Sequence, residues 1–328
     1  MRIHQKIGIL VTVLAMIITV NPIMALDNSQ ESINPYVEMY INQQKRIDAT
    51  IDPQVIVSLD EYYHADLTLE SVLPEKFAGL VTSIEKRDKI STMNQLFEMY
   101  GDLDHTVKEL VDMFFYRYAL DSEDIDVIRA YQEILSIEKN TSNSLRYSYN
   151  HTTAANWAKN NYNTRPSDFP DCDGVGGDCA NFVSQAMYHG GIGMFETWYC
   201  YKLNNNNPAP QNVTELNASW SLADPSPWIS ANQFTSFWNS RCDHKYYYAC
   251  TDYTLSHTDI YYEDIYIGDT IVFYSTTGWW NTPSHVVMIT AYDSTNKDFL
   301  YCGHNCDRYN YSLLSAVTNY SYIRFICL

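Results

Sequence analysis

Apolar residues recur at helical spacing in the first half of the chain. The clearest run follows the i, i+3, i+4, i+7, i+8 pattern of an amphipathic helix with one buried face: Val107, Leu110, Val111, Phe114, Phe115 and Tyr118. A second helix is predicted to begin at Asp121 or Ser122 as N-cap and to continue past Tyr131. The apolar stretch Val55–Val57 is typical of a short strand. We therefore predict a mainly helical region over residues 26–145.

The second half has a different pattern. A polar segment, Asn140–Ser144, precedes a part rich in Tyr, Trp, Asn and Gly, so we place a domain boundary there and a second domain at residues 146–328. Three segments are typical of strands, the first entered through a turn: Ile267–Tyr274, His285–Tyr292 and Phe299–Asn305. Together with a helix near residue 180, they predict an α+β domain with an antiparallel sheet.

The first residues have the order of a secretory signal peptide. Arg2 and Lys6 precede a charge-free, mostly apolar run, Ile7–Val20, and the small residue Ala25 follows it. The run has 14 residues, which is short of the roughly 20 that a membrane-spanning helix needs. We therefore predict a signal peptide at residues 1–25 and a protein that is secreted, either extracellular or associated with the cell wall.

Net charge limits the partners of the chain. The formal charge is −18, and removal of Arg2 and Lys6 with the leader makes it −20. Because an acidic surface repels phosphate backbones and anionic lipid, we expect neither a nucleic-acid partner nor membrane binding after the leader is removed. The eight cysteines would suggest disulfides in an exported chain, but one reactive thiol would leave at most three pairs.

A glycine-rich turn leads into a helix that begins at Cys179. Asp178 is suited to be its N-cap and Gly190–Gly191 its stop. One face of the helix carries Cys179, Phe182, Val183, Ala186 and Met187. Helix amides and the macrodipole at a first turn favour a thiolate, and the same N–H groups can bind an oxyanion. An ordinary buried cysteine is the alternative, so a partner for the thiol is needed.

His285 heads the second predicted strand and supplies that partner. If the following turn centres near Thr295, the position opposite His285 is about residue 305, which brings His304 or Asn305 beside it. A cysteine hydrolase needs a thiol, a base for its proton and a third polar group that orients the base. These residues therefore predict Cys179 as nucleophile and His285 as general base.

The same segments carry a family resemblance. The chain resembles the amidase domains of exported bacterial proteins, which are similar to the NlpC-type cell-wall peptidases of papain-like fold. The matching segments occur in the family's order and span about residues 146–328: Tyr149–Asn150, Ala154–Ala158, Asp178–Gln185, Gly268–Asp269 and Ser284–Thr290.

The resemblance implies a papain-like domain with a cysteine helix at its start and a catalytic set of Cys179, His285 and His304. Asn305 is the alternative third residue, by analogy with papain. The implied reaction is hydrolysis of amides in cell-wall (peptidoglycan-type) or other peptides through an acyl-thioester, which requires no metal or organic cofactor.

Three alternatives stay open. A metal site at Cys302, His304 and Cys306 has spacing that fits structural zinc poorly. An acyltransferase would pass the same acyl group to an amine. A catalytically inactive papain-like module would bind wall or surface polymers through aromatic loops that contain Trp198, Tyr199, Trp279 and Trp280. The sequence leaves the oligomeric state open.

Overall fold

A computed structural model of the protein describes residues 34–139, 148–204 and 207–328. The predicted signal peptide and the predicted boundary at Asn140–Ser144 lie outside these residues. The α-helices are α1 Pro35–Arg46, α2 Pro53–Val72, α3 Lys86–Met99, α4 His105–Tyr118, α5 Ile125–Lys139, α6 His151–Asn161, α7 Cys179–His189, α8 Val213–Ser219, α9 Ala231–Asn239, α10 Cys250–Ile260 and α11 Leu313–Ala316. The strands are β1 Cys200–Lys202, β2 Trp220–Leu222, β3 His244–Ala249, β4 Thr270–Thr277, β5 Trp280–Asp293, β6 Asp298–Gly303, β7 Arg308–Ser312 and β8 Tyr322–Cys327.

Helices α1 to α5 form the first half of the described chain. Helix α4 confirms the predicted amphipathic helix, and its buried face includes Val111, Phe114 and Tyr118. The predicted strand at Val55–Val57 is wrong, because these residues lie in α2. A three-residue apolar run is too short to separate strand from helix, and Pro53 at the first helical position starts the helix here.

Helix α5 begins later than predicted. Its first turn is at Ile125, and the carboxylate of Asp124 accepts hydrogen bonds from the amides of Asp126 and Val127 at 3.1 Å each. The prediction of Asp121 or Ser122 as N-cap is therefore wrong by two or three residues. Asp124 is the better cap because its side chain reaches the free amides of the first turn.

A fully buried carboxylate joins the helices of this region. Asp66 accepts hydrogen bonds from the hydroxyls of Tyr36 and Tyr118 at 2.7 Å each, from Lys89 Nζ at 2.5 Å and from an Arg117 guanidinium nitrogen at 2.5 Å. A buried charge is tolerated only with such partners, so the cluster fixes how α1 to α4 pack.

The main sheet is antiparallel and has the strand order β3-β8-β4-β5-β6-β7, which confirms an α+β arrangement. In the β5–β6 pair, Met288 lies opposite Cys302 and Ile289 opposite Tyr301. This is the register predicted from a turn near Thr295. However, β6 ends at Gly303, so His304 and Asn305 leave the sheet and are not paired with β5.

Helices cover both faces of the sheet. Val286 and Met288 of β5 pack into a core shared with α6, α7 and α9, whereas Val287 and Ile289 pack into a core shared with α10 and α11. The alternation follows from the period of two in a strand. The cysteine helix α7 therefore lies against the middle of the sheet, beside the strand that carries His285.

Two further facts concern the chain as a whole. Among the described residues, none of the helices has the length and apolar character needed to span a membrane. All eight cysteines are free thiols in this structure.

Candidate active site

Cys179 is the first residue of α7 and is fully buried. The turn before it contains Gly176 and Gly177, whose φ angles are +120° and +127°. Side-chain-bearing residues rarely adopt such angles, so the glycines allow the sharp entry into the helix. Helix α7 thereby presents its first turn to strand β5.

Asp178 occupies the predicted N-cap position but does not cap the helix with its side chain. Its Oδ1 instead accepts hydrogen bonds from the backbone N–H of Cys172 at 2.9 Å and from the side-chain amide of Asn181 at 2.6 Å. The expectation that the Asp178 side chain caps α7 is therefore wrong, although Asp178 does occupy the N-cap position. Because the carboxylate turns back into the preceding loop, it does not occupy the amides of the first helical turn.

The surroundings of the Cys179 sulfur favour a neutral thiol. Burial raises the pKa of the thiol to about 12, and the carboxylates of Asp52 and Asp178 act in the same direction. Backbone N–H groups of Val286 and Ala180 oppose this increase. The expected lowering by the helix start is present but smaller than the effect of burial.

His285 is partly buried on β5, and its ring stacks on Phe273 of β4, with centroids 6.0 Å apart and 21° between planes. Burial, together with the nearby charges of Arg308 and His304, lowers the pKa of His285 to about 4. The imidazole is therefore neutral at physiological pH, which is the state that a general base requires.

Gly303 lets the end of β6 approach this ring. A Cβ at position 303 would be 3.6 Å from His285 Nε2 and only 2.8 Å from a methyl carbon of Val287. Because Gly303 has no side chain, the His285 imidazole has room beside the end of β6.

The structure brings Cys179 to the backbone that carries His285. Cys179 shares a buried core with Val286, the residue after His285, and the Val286 backbone N–H acts to lower the pKa of the thiol. Among the described residues, no hydrogen bond joins the thiol and the imidazole. A hydrogen bond between a thiol and its base often forms only when substrate binds.

His304, the predicted third residue, has other partners. Its Nδ1 lies 2.5 Å from Asp178 Oδ2 and its Nε2 lies 2.9 Å from the carbonyl oxygen of Asn161. Asn305, the alternative, accepts a hydrogen bond from the Asp178 backbone N–H at 2.8 Å. Both residues therefore contact the turn before Cys179, and their described hydrogen bonds do not include His285.

The helical region reaches the same turn, which the sequence did not predict. The side-chain amide of Gln54, near the start of α2, donates a hydrogen bond to the carbonyl of Gly176. A Cβ on Gly177 would be 2.4 Å from that amide nitrogen. Contacts over 122 residues of sequence leave no local pattern, so only the folded chain shows that α2 covers the entry to the cysteine helix.

A family model described as "Putative amidase domain" matches residues 148–327, which include Cys179, His285 and His304. The chain belongs to this family. The membership supports a hydrolase that acts on amides. No curated protein and no solved structure matches the chain.

The Gly268–Asp269 motif of the amidase domain has a structural role. A Cβ on Gly268 would be 2.6 Å from the Cα of His151, so α6 packs directly on this turn. The Asp269 carboxylate accepts hydrogen bonds from the amides of Tyr266 at 2.7 Å and Leu328 at 3.3 Å. The motif thus fixes α6 and the C-terminal end against the start of β4.

The structure also bears on the alternatives. Trp198 and Trp280 are fully buried, so these two rings form no contact surface for a polymer, which corrects that part of the binding-module hypothesis. In the parts of the amidase and helical regions that are described, no group of three or more His, Cys, Asp or Glu residues is arranged to hold a metal ion.

Proposed function

We propose that the protein is a cysteine-dependent amide hydrolase with a papain-like catalytic arrangement, in which Cys179 is the nucleophile and His285 the general base. The single observation that supports it best is the contact of helix α7 with strand β5, through the buried core that contains Cys179 and Val286. This contact joins the first turn of the cysteine helix to the strand position next to the base. Membership of an amidase family adds the class of bond.

The proposed reaction starts from a neutral pair. As the sulfur attacks the amide carbonyl carbon, the thiol proton passes to His285, and the C–S bond forms. The C–N bond then breaks, and the leaving amine takes the proton from His285. Water attacks the resulting thioester and gives its proton to His285, which returns it to the departing sulfur, so the carboxylic acid product leaves and the thiol is restored.

Helix amides complete this proposal. Because the Asp178 side chain bonds elsewhere, the N–H groups of the first turn of α7 are available for the oxyanion that forms on the carbonyl oxygen. A neutral thiol at rest is compatible with the mechanism, since proton transfer to His285 accompanies attack.

The substrate and location are also proposals. The leader-like residues 1–25 and the resemblance to NlpC-type peptidases support an exported enzyme that acts on cell-wall or other peptides. An acyltransferase would share the acyl-thioester, and added amine acceptors distinguish the two because only a transferase yields amine adducts as its main products.

The test is hydrolysis of a peptidoglycan digest and a peptide library by the mature protein, followed by mass spectrometry. We expect Cys179→Ala to abolish new products and His285→Ala to reduce them at least 100-fold. Cys250→Ala, which removes a buried thiol on α10, is the matched control and should retain activity.

Trapping of the acyl-enzyme checks the chemistry directly. A mass increase on Cys179 after an acid quench, absent in Cys179→Ala, is the expected result. Hydrolysis that continues unchanged in Cys179→Ala would show that the proposal is wrong.

A further inference from the structure

His304 lies between two hydrogen-bond acceptors. Asp178 Oδ2 is 2.5 Å from its Nδ1, and the Asn161 carbonyl oxygen is 2.9 Å from its Nε2. A carboxylate and a carbonyl both accept, so both ring nitrogens must donate for the two contacts to be favourable. A neutral imidazole has one N–H and satisfies only one of them. The geometry therefore points to a doubly protonated ring paired with the Asp178 carboxylate.

The surroundings hold this pair in place. His304 and Asp178 are both fully buried, and the imidazole ring packs on Phe182 of α7, with centroids 4.1 Å apart. Arg165 Nε lies 3.6 Å from the same Asp178 oxygen. A buried carboxylate with these partners has little freedom to move.

Asp178 immediately precedes the nucleophile, and it is held on every polar side. Its Oδ1 receives the Cys172 and Asn181 donors, its Oδ2 receives His304, and its backbone N–H donates to Asn305 at 2.8 Å. His304 and Asn305, which follow the end of β6, thus hold Asp178 in place. The direction of the first turn of α7 depends on Asp178.

We propose that His304 is a positioning residue that acts through Asp178: the pair fixes the first turn of α7 so that the Cys179 sulfur and the helix amides face the substrate carbonyl. This role differs from orientation of the His285 ring, which the family resemblance implies. The inference rests on the proposed function for its catalytic consequence, whereas the hydrogen bonding of the pair can be tested without activity.

The first experiment is ¹H–¹⁵N NMR of the histidine side chains at pH 7 in the Cys179→Ala protein, with Phe182 contacts assigning His304. We expect both nitrogens of His304 to carry protons, and we expect Asp178→Asn to remove this signature. A ring with one unprotonated nitrogen in the otherwise native protein would overturn the proposal. This readout is independent of whether the protein is a hydrolase.

The second experiment is a double-mutant cycle of Asp178→Asn and His304→Gln, measured as kcat and KM on a cleaved peptide and as the pH profile of kcat/KM. For a positioning pair, each variant lowers kcat about 10- to 100-fold with a small change in KM, and the double variant loses no more than the worse single one. The pH midpoint assigned to His285 stays where it is.

The opposite pattern of kinetic effects would identify His304 as a residue that orients the His285 ring. If His304→Gln shifts the pH midpoint or lowers kcat while Asp178→Asn does neither, His304 acts on His285 and the proposal fails. His304→Gln can also unfold the protein, so circular dichroism accompanies each variant. Asp178→Asn keeps the size and the acceptor oxygen of the side chain and serves as the conservative variant. If no substrate is cleaved, the proposed function fails. The NMR result still shows whether His304 and Asp178 form the hydrogen-bonded pair.

Discussion

Trp280 meets Tyr118 edge to face, with ring centroids 5.7 Å apart and 88° between the ring planes. Trp280 begins β5, the strand of His285, and Tyr118 ends α4 in the helical region. The next residue, Asn281, donates two hydrogen bonds to the Asp121 carboxylate, from its backbone N–H at 2.8 Å and from its side-chain amide at 2.9 Å. The strand that carries His285 is therefore anchored in the core of the helical region.

This anchor predicts a large loss of stability for Trp280→Ala. Deleting a fully buried indole leaves a cavity, so we expect the free energy of unfolding to fall by about 3–5 kcal/mol. Urea unfolding followed by circular dichroism measures it. Trp279→Ala is the control, since that ring is only partly buried and should cost less. Equal losses, or no loss for Trp280→Ala, would contradict the shared core.

The sequence predicted those parts of the amidase domain that depend on local periodicity. Strand alternation and the turn at Asp293–Lys297 determine the β5–β6 register, because a shift of one residue would turn Val286 and Met288 away from α7. The cysteine helix follows in the same way from its apolar face and the glycine turn. These features are set by neighbours in the chain.

Features set by distant neighbours were not predictable. The side chain of Asp178 could cap its own helix or bond to His304, and 126 residues separate that pair. Asn181 and the buried His304 decide the competition, because they satisfy a carboxylate that solvent cannot reach. Gln54 illustrates the same limit, since its contact with Gly176 depends on how α2 packs on the amidase domain.

A partly buried carboxylate between the two regions predicts a pH effect. Glu61 of α2 accepts hydrogen bonds from Ser230 Oγ at 2.9 Å and Asn232 at 2.7 Å, yet burial raises the pKa of Glu61 to about 7. The folded chain therefore binds the Glu61 proton more tightly than the unfolded chain does, where the pKa of this carboxyl is 4.5. Its stabilising contribution is complete below about pH 4.5 and is lost as pH rises through about 7.

Glu61→Gln removes this dependence. Its side-chain oxygen can keep the bonds that Glu61 Oε2 accepts, without a charge to desolvate. We expect the variant to match the wild type at pH 5 and to be more stable by about 1–3 kcal/mol at pH 8, measured by urea unfolding. Glu133→Gln, on an exposed position of α5, should leave the pH profile unchanged. A Glu61→Gln variant that is less stable at pH 8 would show that the charge is favourable there.

Gly303→Ala tests the space around the His285 ring. The new Cβ would lie 2.8 Å from a methyl group of the buried Val287, which must move. Overpacking of this kind costs about 1–3 kcal/mol, and the displaced chain presses on the side where His285 Nε2 lies. We expect lower stability in urea and slower peptide hydrolysis. Gly193→Ala is the control, because no atom lies within 4 Å of its added carbon.

The contact between Gln54 and the glycine turn predicts how access to Cys179 is controlled. Cys179 is fully buried, and Gln54 is hydrogen-bonded to the turn that leads to it. Loss of one hydrogen bond worth about 0.5–1.5 kcal/mol should raise the open population, and with it the iodoacetamide labelling rate of Cys179, about 2- to 10-fold in Gln54→Ala.

Intact-mass measurements at pH 8 can follow this labelling in a Cys306→Ala background, which removes the exposed thiol. Gln132→Ala, on an exposed position of α5, is the matched control and should leave the rate unchanged. If Gln54→Ala labels no faster than the control, the start of α2 does not limit access.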